Sequence, residues 1–298
     1  MIEKFKEKIK RSFSFIKIPG LNGFSLLDLI ELYFLGLTRG TLTSRAGSVS
    51  FSFFMALFPF ILFVLNLIPF IPKFFSIENF DAILFNFIEN ILPQDTHTFF
   101  EKIFEDIKSK PRAGLLSSVF ILSVILTANG VNSIFTSFEV SYHVKEFRNI
   151  FKQYLYSLGV SAILAFLLLV SVISFVSFEL LFQRLLPESI NFAIFLQNLI
   201  FVILAYISIT ILYYFGTIQG KLTGFFSPGA LMTTLLFFFS AYLFGIYIDN
   251  FSNYNQLYGS IGALLIFMLF SWINSIILLL GFELNATIRS LNEEKKKI

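Results

Sequence analysis

The sequence predicts an all-α, polytopic membrane protein with six transmembrane helices and both termini in the cytoplasm. Three observations carry that expectation. Hydrophobic residues make up 56% of the 298-residue chain and charged residues 14%, with 43 Phe, against about 45–50% and about 25% in soluble globular chains. Apolar runs recur at about 20 residues, the length a helix needs to cross roughly 30 Å of hydrocarbon. Lys and Arg are spread unevenly between alternate connections, sixteen of the 22 on one side, and that side is retained in the cytoplasm. A soluble fold of 34.2 kDa with mean hydropathy +0.79 has too little interior for this much apolar side chain, so the solvent is lipid.

Taken in order, residues 1–24 form a basic N-terminal segment. Its charge-alternating stretch Lys4–Lys17 suits either anionic head groups or a frayed end, and both readings stay open. Ser25–Ser44 reads as an amphipathic helix on the inner surface. Leu26, Leu27, Ile30, Tyr33, Phe34 and Leu37 share one face, with Asp28, Glu31 and Thr38 opposite, and Ser25 and Asp28 make a capping-box-like start. A single membrane domain over 25–290 then holds spans near 46–71, 114–138, 154–180, 192–215, 228–248 and 259–284. The first run begins too late and runs too long for a cleaved signal. A basic tail, 291–298, closes the chain.

Between the first two spans, residues 72–113 are expected to form an outer amphipathic helical hairpin. Ile77, Phe80, Leu84, Phe87 and Ile91 recur at helical spacing before Pro93, and Thr98 with Glu101 forms a capping box ahead of a second run ending at Pro111. Its apolar face must lie on the span ends, the membrane surface or an envelope protein partner.

Polar groups inside spans are costly and mark candidates for function. Glu283 lies level with Arg45, and a salt bridge between them would clasp the last span to the first. Glu139 and Glu179 fall at span ends, where water is expected to reach them. Asn129, Gly130 and Asn132 interrupt span two, and Pro59 followed by Asn66 does the same in span one. With Gln197 and Asn198 in span four, these groups would either line a polar cavity or accompany ordinary kinks. Small residues at four-residue spacing (Ser48, Ser52 and Ala56) and the sets Gly229, Ala230, Thr233 and Gly259, Gly262 allow close helix packing. Gly216, Gly220 and Gly224 lack the strand-to-helix setting of a phosphate cradle.

Several motifs together resemble the YihY/BrkB family of bacterial inner-membrane proteins. They are Arg45-Ala46 through Leu57-Phe58-Pro59, then Tyr142, Val144, Glu146 and Arg148, then Pro228-Gly229-Ala230, Tyr247, Tyr258-Gly259-Ser260 and Gly281-Phe282-Glu283-Leu284-Asn285-Ala286. The resemblance spans roughly residues 25–290 and departs from the family pattern at Glu139, where Asn is common, and near Trp272. It implies a six-span protein of the bacterial inner membrane. The family has carried a ribonuclease BN label and has been linked by name to envelope integrity.

The residues weigh against a ribonuclease. There is no Cys and only two His, His97 and His143, so neither a thiolate nucleophile nor a histidine-built metal centre is available. No catalytic residue, cofactor, metal or nucleic-acid partner is expected. Tyr142, Lys145, Phe147, Arg148, Phe151 and Lys152 form an aromatic–basic cluster that suits a membrane surface better than RNA. The expected partners are membrane lipids, and the expected function is transport or transbilayer handling of a lipid or other amphiphile in support of the envelope. The alternatives are a non-transporting scaffold recruiting envelope proteins and, last, a membrane enzyme.

Overall fold

The computed structural model describes residues 30–35, 41–67, 113–185, 190–222, 224–250 and 260–295. The basic segment Lys4–Lys17, most of the 72–113 hairpin, Tyr258, Gly259 and the last three residues lie outside them. So do the side chains of Pro59, Asn66 and Glu179. The described residues are helical apart from short connections. The helices are α1 (Leu42–Leu67), α2 (Ala113–Glu139), α3 (Ile150–Leu185), α4 (Ile190–Gly216), α5 (Pro228–Asn250) and α6 (Ser260–Lys295), with a 3-10 turn at Ile218–Leu222 between α4 and α5.

Local chemistry sets several ends. Thr41, at φ 46°, sits in the left-handed region that a β-branched residue rarely enters, and its carbonyl accepts from Arg45 N at 3.1 Å. The helix therefore starts afresh at Leu42, and Leu42–Ser44 belong to α1 rather than to a surface helix reaching Ser44. Asn149 caps α3, its Oδ1 accepting from Phe151 N at 3.0 Å. Ser227 caps α5, its Oγ accepting from Ala230 N at 3.2 Å, and Pro228 fills the first helical position, where its missing N–H has no cost.

Two expected interruptions are absent. α2 runs unbroken through Asn129, Gly130 and Asn132, and α1 through Pro59. An Asn side chain leaves the backbone ladder intact, and one proline removes a single N–H donor, so neither has to end a helix.

Five described stretches are long and apolar enough to cross a membrane: Phe120–Glu139, Ile150–Leu168, Ile194–Gly216, Pro228–Ile248 and Leu265–Glu293. They are inside-out by soluble standards. Only 11% of the α4 and α5 windows is buried, and Phe166, Phe195, Leu235 and Tyr242 stand exposed, which water would penalise and lipid does not. The buried positions instead favour small polar residues. Ser157, Thr234 and Ser275 donate to the carbonyl four residues earlier on their own helices, so each hydroxyl is satisfied before neighbours pack against it.

The chain divides into two compact units, Met1–Ser52 with Ala128–Ile298, and Phe53–Thr127. In the first, α5 packs along α6, α3 along α4, and α4 along α5. Its core gathers at the end of the helices where α1 begins. Phe138 stacks on Phe282 with centroids 4.1 Å apart, and Tyr213 meets both rings edge-on at 5.6 and 6.0 Å. Phe135, Leu279, Ala230 and Ala286 fill in around them. The described part of the second unit is the end of α1 and the start of α2, where Ser123 Oγ donates to its own helix at Phe120 O, 2.8 Å away.

Candidate functional site

The structure brings Arg45 and Glu283 together. Arg45 Nη2 donates to Glu283 Oε1 at 2.7 Å, with the two side chains 5% and 0% exposed. Arg45 Nη1 donates to the Ser137 carbonyl at 2.8 Å, and Ser141 Oγ donates to Glu283 Oε2 at 2.7 Å. α1, α2, the connection after α2, and α6 therefore meet on one buried carboxylate whose two oxygens are both satisfied. Residues 30–35 join the same assembly. Tyr33 OH donates to the Leu280 carbonyl at 3.2 Å, and His143 Nε2 lies 3.3 Å from the Leu32 carbonyl. Burial, and then the Glu283 charge, push the Tyr33 hydroxyl up to about 12, so it stays a neutral donor across the physiological range.

A second set joins α5 to α6. Asn285 Oδ1 accepts from Gly229 N at 2.8 Å, and its Nδ2 donates to Ser227 Oγ at 3.0 Å. Tyr213 OH donates to the Leu278 carbonyl at 2.8 Å and lies 2.6 Å from Thr233 Oγ1. Gly229 and Gly281 face each other where the two backbones cross. Of the residues singled out in the sequence, Arg45, Gly229, Gly281, Glu283 and Asn285 thus converge at one end of the unit and bind helices together. Tyr213 and its Leu278 partner carried no sequence signal, since a tyrosine in an apolar run reads as one more ring.

Beside these lies a polar stripe along α2 and α3. Asn129, Asn132, Thr136 and Glu139 recur at positions i, i+3, i+7 and i+10 of α2, one face of a helix. Asn132 Oδ1 lies 3.4 Å from Ser157 Oγ. One terminal atom of the Gln153 amide lies 3.0 Å from Thr136 Oγ1 and the other 2.8 and 3.2 Å from the two Glu139 oxygens, and assigning nitrogen to the atom that faces the carboxylate satisfies both ends. Ser48 and Ser133 hydroxyls meet at 3.2 Å on the α1 side. Ten residues of helix rise about 15 Å, so the stripe reaches about half the depth of a hydrocarbon core.

Glu139 differs from expectation. It is 9% exposed, because Gln153 and the Arg148 backbone N–H, at 3.2 Å, cover it from water. The Arg148 guanidinium makes its hydrogen bonds elsewhere, while its charge still acts favourably on Glu139. Its Nη1 donates to the Phe215 carbonyl and its Nη2 to the Thr217 carbonyl, the latter at 2.8 Å, while the guanidinium lies 4.3 Å over the Tyr156 ring. It thereby caps the C-terminal end of α4, where carbonyls lack intrahelical donors. Burial pushes its pKa down, with Tyr156 and Glu139 opposing. Arg289 does similar work on the 3-10 turn, Nη1 donating to the Gln219 carbonyl at 3.2 Å.

The remaining predicted positions do not assemble. Asn129 and Asn198 are exposed and Gln197 half-buried, and among the described residues no hydrogen bond joins any of them to Asn132 or to one another. Tyr142, Lys145, Phe147, Phe151 and Lys152 are exposed around the α2–α3 connection. Among the described residues no group of three His, Cys, Asp or Glu side chains could hold a metal.

Comparison with known proteins adds a family. The family model described as Virulence factor BrkB matches residues 34–298. The YfkH ribonuclease-like protein of Bacillus subtilis (strain 168) is 27% identical over 252 residues, covering 82% of this chain and 89% of the relative. No solved structure matches.

Proposed function

We propose, from the premise that this chain belongs to the Virulence factor BrkB family, that it is a six-span protein of the bacterial inner membrane that moves or presents a lipid or other amphiphile across the bilayer. Both termini lie in the cytoplasm, α1 adds the first span to the other five, and the ionic cluster around Glu283 stands at the cytoplasmic end. The observation that carries this reading is the α2–α3 stripe. It offers hydroxyls and amides to a head group over half the bilayer, on helices whose other exposed side chains suit acyl tails. Asn129 and Thr136 on that stripe are exposed, so a ligand reaches it sideways from lipid.

The chemistry of hydrolysis has no comparable support. Arg45 and Glu283 are engaged with each other, and Arg148 is engaged with backbone carbonyls, so among the described residues these groups do not form a converging acid, base and nucleophile. The ribonuclease-like name of the Bacillus relative is therefore not carried to this chain.

The test is movement of acyl-labelled lipids in proteoliposomes, read by bleaching the outer leaflet. The full chain is expected to make inner-leaflet lipid accessible, and Asn132→Leu with Thr136→Val to slow that exchange severalfold. A folded, reconstituted protein that moves no lipid class would sink the proposal. Orientation has its own check, because the chain has no native thiol. Cysteines placed at Asn90 and Asn292 are expected to label from opposite faces of spheroplasts, and labelling from one face would overturn the topology.

A further inference from the structure

The connection from α4 to α5 folds back on α4. A Cβ at Gly220 would run into the Tyr213 and Tyr214 carbonyls, so the 3-10 turn lies against the last turn of that helix. Further on, Tyr206 OH donates to the Phe225 carbonyl at 2.9 Å. The Phe225 and Phe226 rings pack on Tyr206 with centroids 6.1 and 6.2 Å away. Tyr206 precedes the end of α4 at Gly216 by ten residues, about 15 Å of helix, which is more than a tyrosine side chain spans. Phe225 and Phe226 therefore lie back along α4 before Ser227 opens α5.

Hydrogen bonding and side-chain chemistry together identify what surrounds this segment. The carbonyls of Phe215 and Thr217 accept from Arg148, that of Gln219 from Arg289, and that of Phe225 from Tyr206. Irregular backbone in water takes its partners from solvent, whereas backbone at membrane depth must find them in the protein. Leu222, Phe225 and Phe226 are exposed, Phe226 at 88%. They continue the exposed apolar stripe of Phe195, Leu199 and Val202 that leads along α4 to Tyr206. Lys221 is the one charged side chain in 217–227 and stands exposed beside Leu222, where its long stem can carry the ammonium to a phosphate.

We infer that Leu222, Phe225 and Phe226 form a re-entrant wedge seated among the acyl chains of the leaflet where α4 ends, with Tyr206 latching its backbone and Lys221 at the phosphates. That leaflet is the inner one in the topology above. The wedge does not depend on whether the protein moves lipid.

Fluorescence quenching on the full chain in proteoliposomes tests it. The chain has no native thiol, so single cysteines at Phe226, at the exposed Leu199 and at Asn292 in the last turn of α6 can each carry one environment-sensitive fluorophore. Lipids brominated on the acyl chain and aqueous iodide, present on both faces, are the two quenchers. At position 226 the acyl bromine is expected to quench severalfold more than iodide, as at position 199, with the opposite order at position 292. A probe at 226 that follows position 292 would overturn the inference. So would one shielded from both quenchers, which marks contact with a second copy or another protein. Tyr206→Phe removes the donor and keeps the ring, and is expected to raise iodide quenching at position 226 severalfold. Unchanged quenching in that variant would refute the latch. The three labelled proteins retain Tyr206, so they decide the wedge even if Tyr206→Phe does not fold.

Discussion

Arg45→Met is expected to leave little folded protein. Glu283 would keep one hydrogen bond, from Ser141, while its charge sat at 0% exposure without a cation. Removing one partner of a buried pair typically costs about 3–5 kcal/mol, a large share of the roughly 5–15 kcal/mol that holds a domain together. Glu283→Gln should also destabilise, since it strands the guanidinium instead. The charge swap, Arg45→Glu with Glu283→Arg, is expected to recover part of the loss. Full recovery is barred by the Ser137 carbonyl, which accepts from Arg45 at 2.8 Å and would face a carboxylate after the swap. Monodisperse yield in detergent and thermal unfolding read all four proteins. Single variants that melt like the wild type, with a swap no better than either, would refute the clasp.

That pair was legible in the sequence because alternatives were few. Two charges at matching depth in the first and last spans, in a chain with 14% charged residues, have almost nothing else to neutralise them. The helices were legible for a related reason, since lipid tolerates long apolar runs only as helices or closed barrels. The ends of the helices were harder. α3 and α6 each run 36 residues, about 54 Å, well past the apolar windows that announced them. Hydropathy marks where the solvent changes. It does not mark where backbone hydrogen bonding stops, and polar turns such as Lys152–Gln153 or Arg289–Lys295 continue a helix readily. The start of α5 at Ser227-Pro228 was clearer, because a capping hydroxyl and a proline act locally.

The Glu139 cluster was not legible, and the reason is geometric. Its position at the end of an apolar run suggested water. What dries it is the path of the connection to α3, which places the Arg148 N–H and the Gln153 amide over the carboxylate. Nothing in residue type or spacing fixes that path. The same holds for Arg148, whose carbonyl partners at Phe215 and Thr217 lie 67 and 69 residues away along the chain. The Asn129–Asn132 region was read correctly as polar but wrongly as a break, because side-chain polarity and backbone rupture are separate properties.

Gly281→Ala is expected to reverse the usual sign of its substitution. In an exposed helix interior, replacing Gly by Ala gains up to about 1 kcal/mol. At Gly281 the new methyl would overlap Thr233 Oγ1, crowd Tyr213 OH and lie 2.6 Å from the Gly229 carbonyl. The carbonyl is backbone and cannot rotate away, and Tyr213 and Thr233 are fixed by their mutual hydrogen bond and by the Leu278 carbonyl. α5 and α6 must therefore separate, loosening the Asn285 bonds to Gly229 and Ser227 as well. A loss of about 3 kcal/mol or more follows, at the upper end of overpacking. Gly229→Ala should behave alike, since its methyl would meet the Gly281 carbonyl and the Asn285 amide. Gly245 provides the control on the same helix α5: a Cβ there meets nothing within 4 Å, so Gly245→Ala should be neutral or slightly stabilising. Thermal unfolding of the three variants decides it, and a Gly281→Ala protein that melts with the Gly245→Ala one would show that the two helices do not cross this closely.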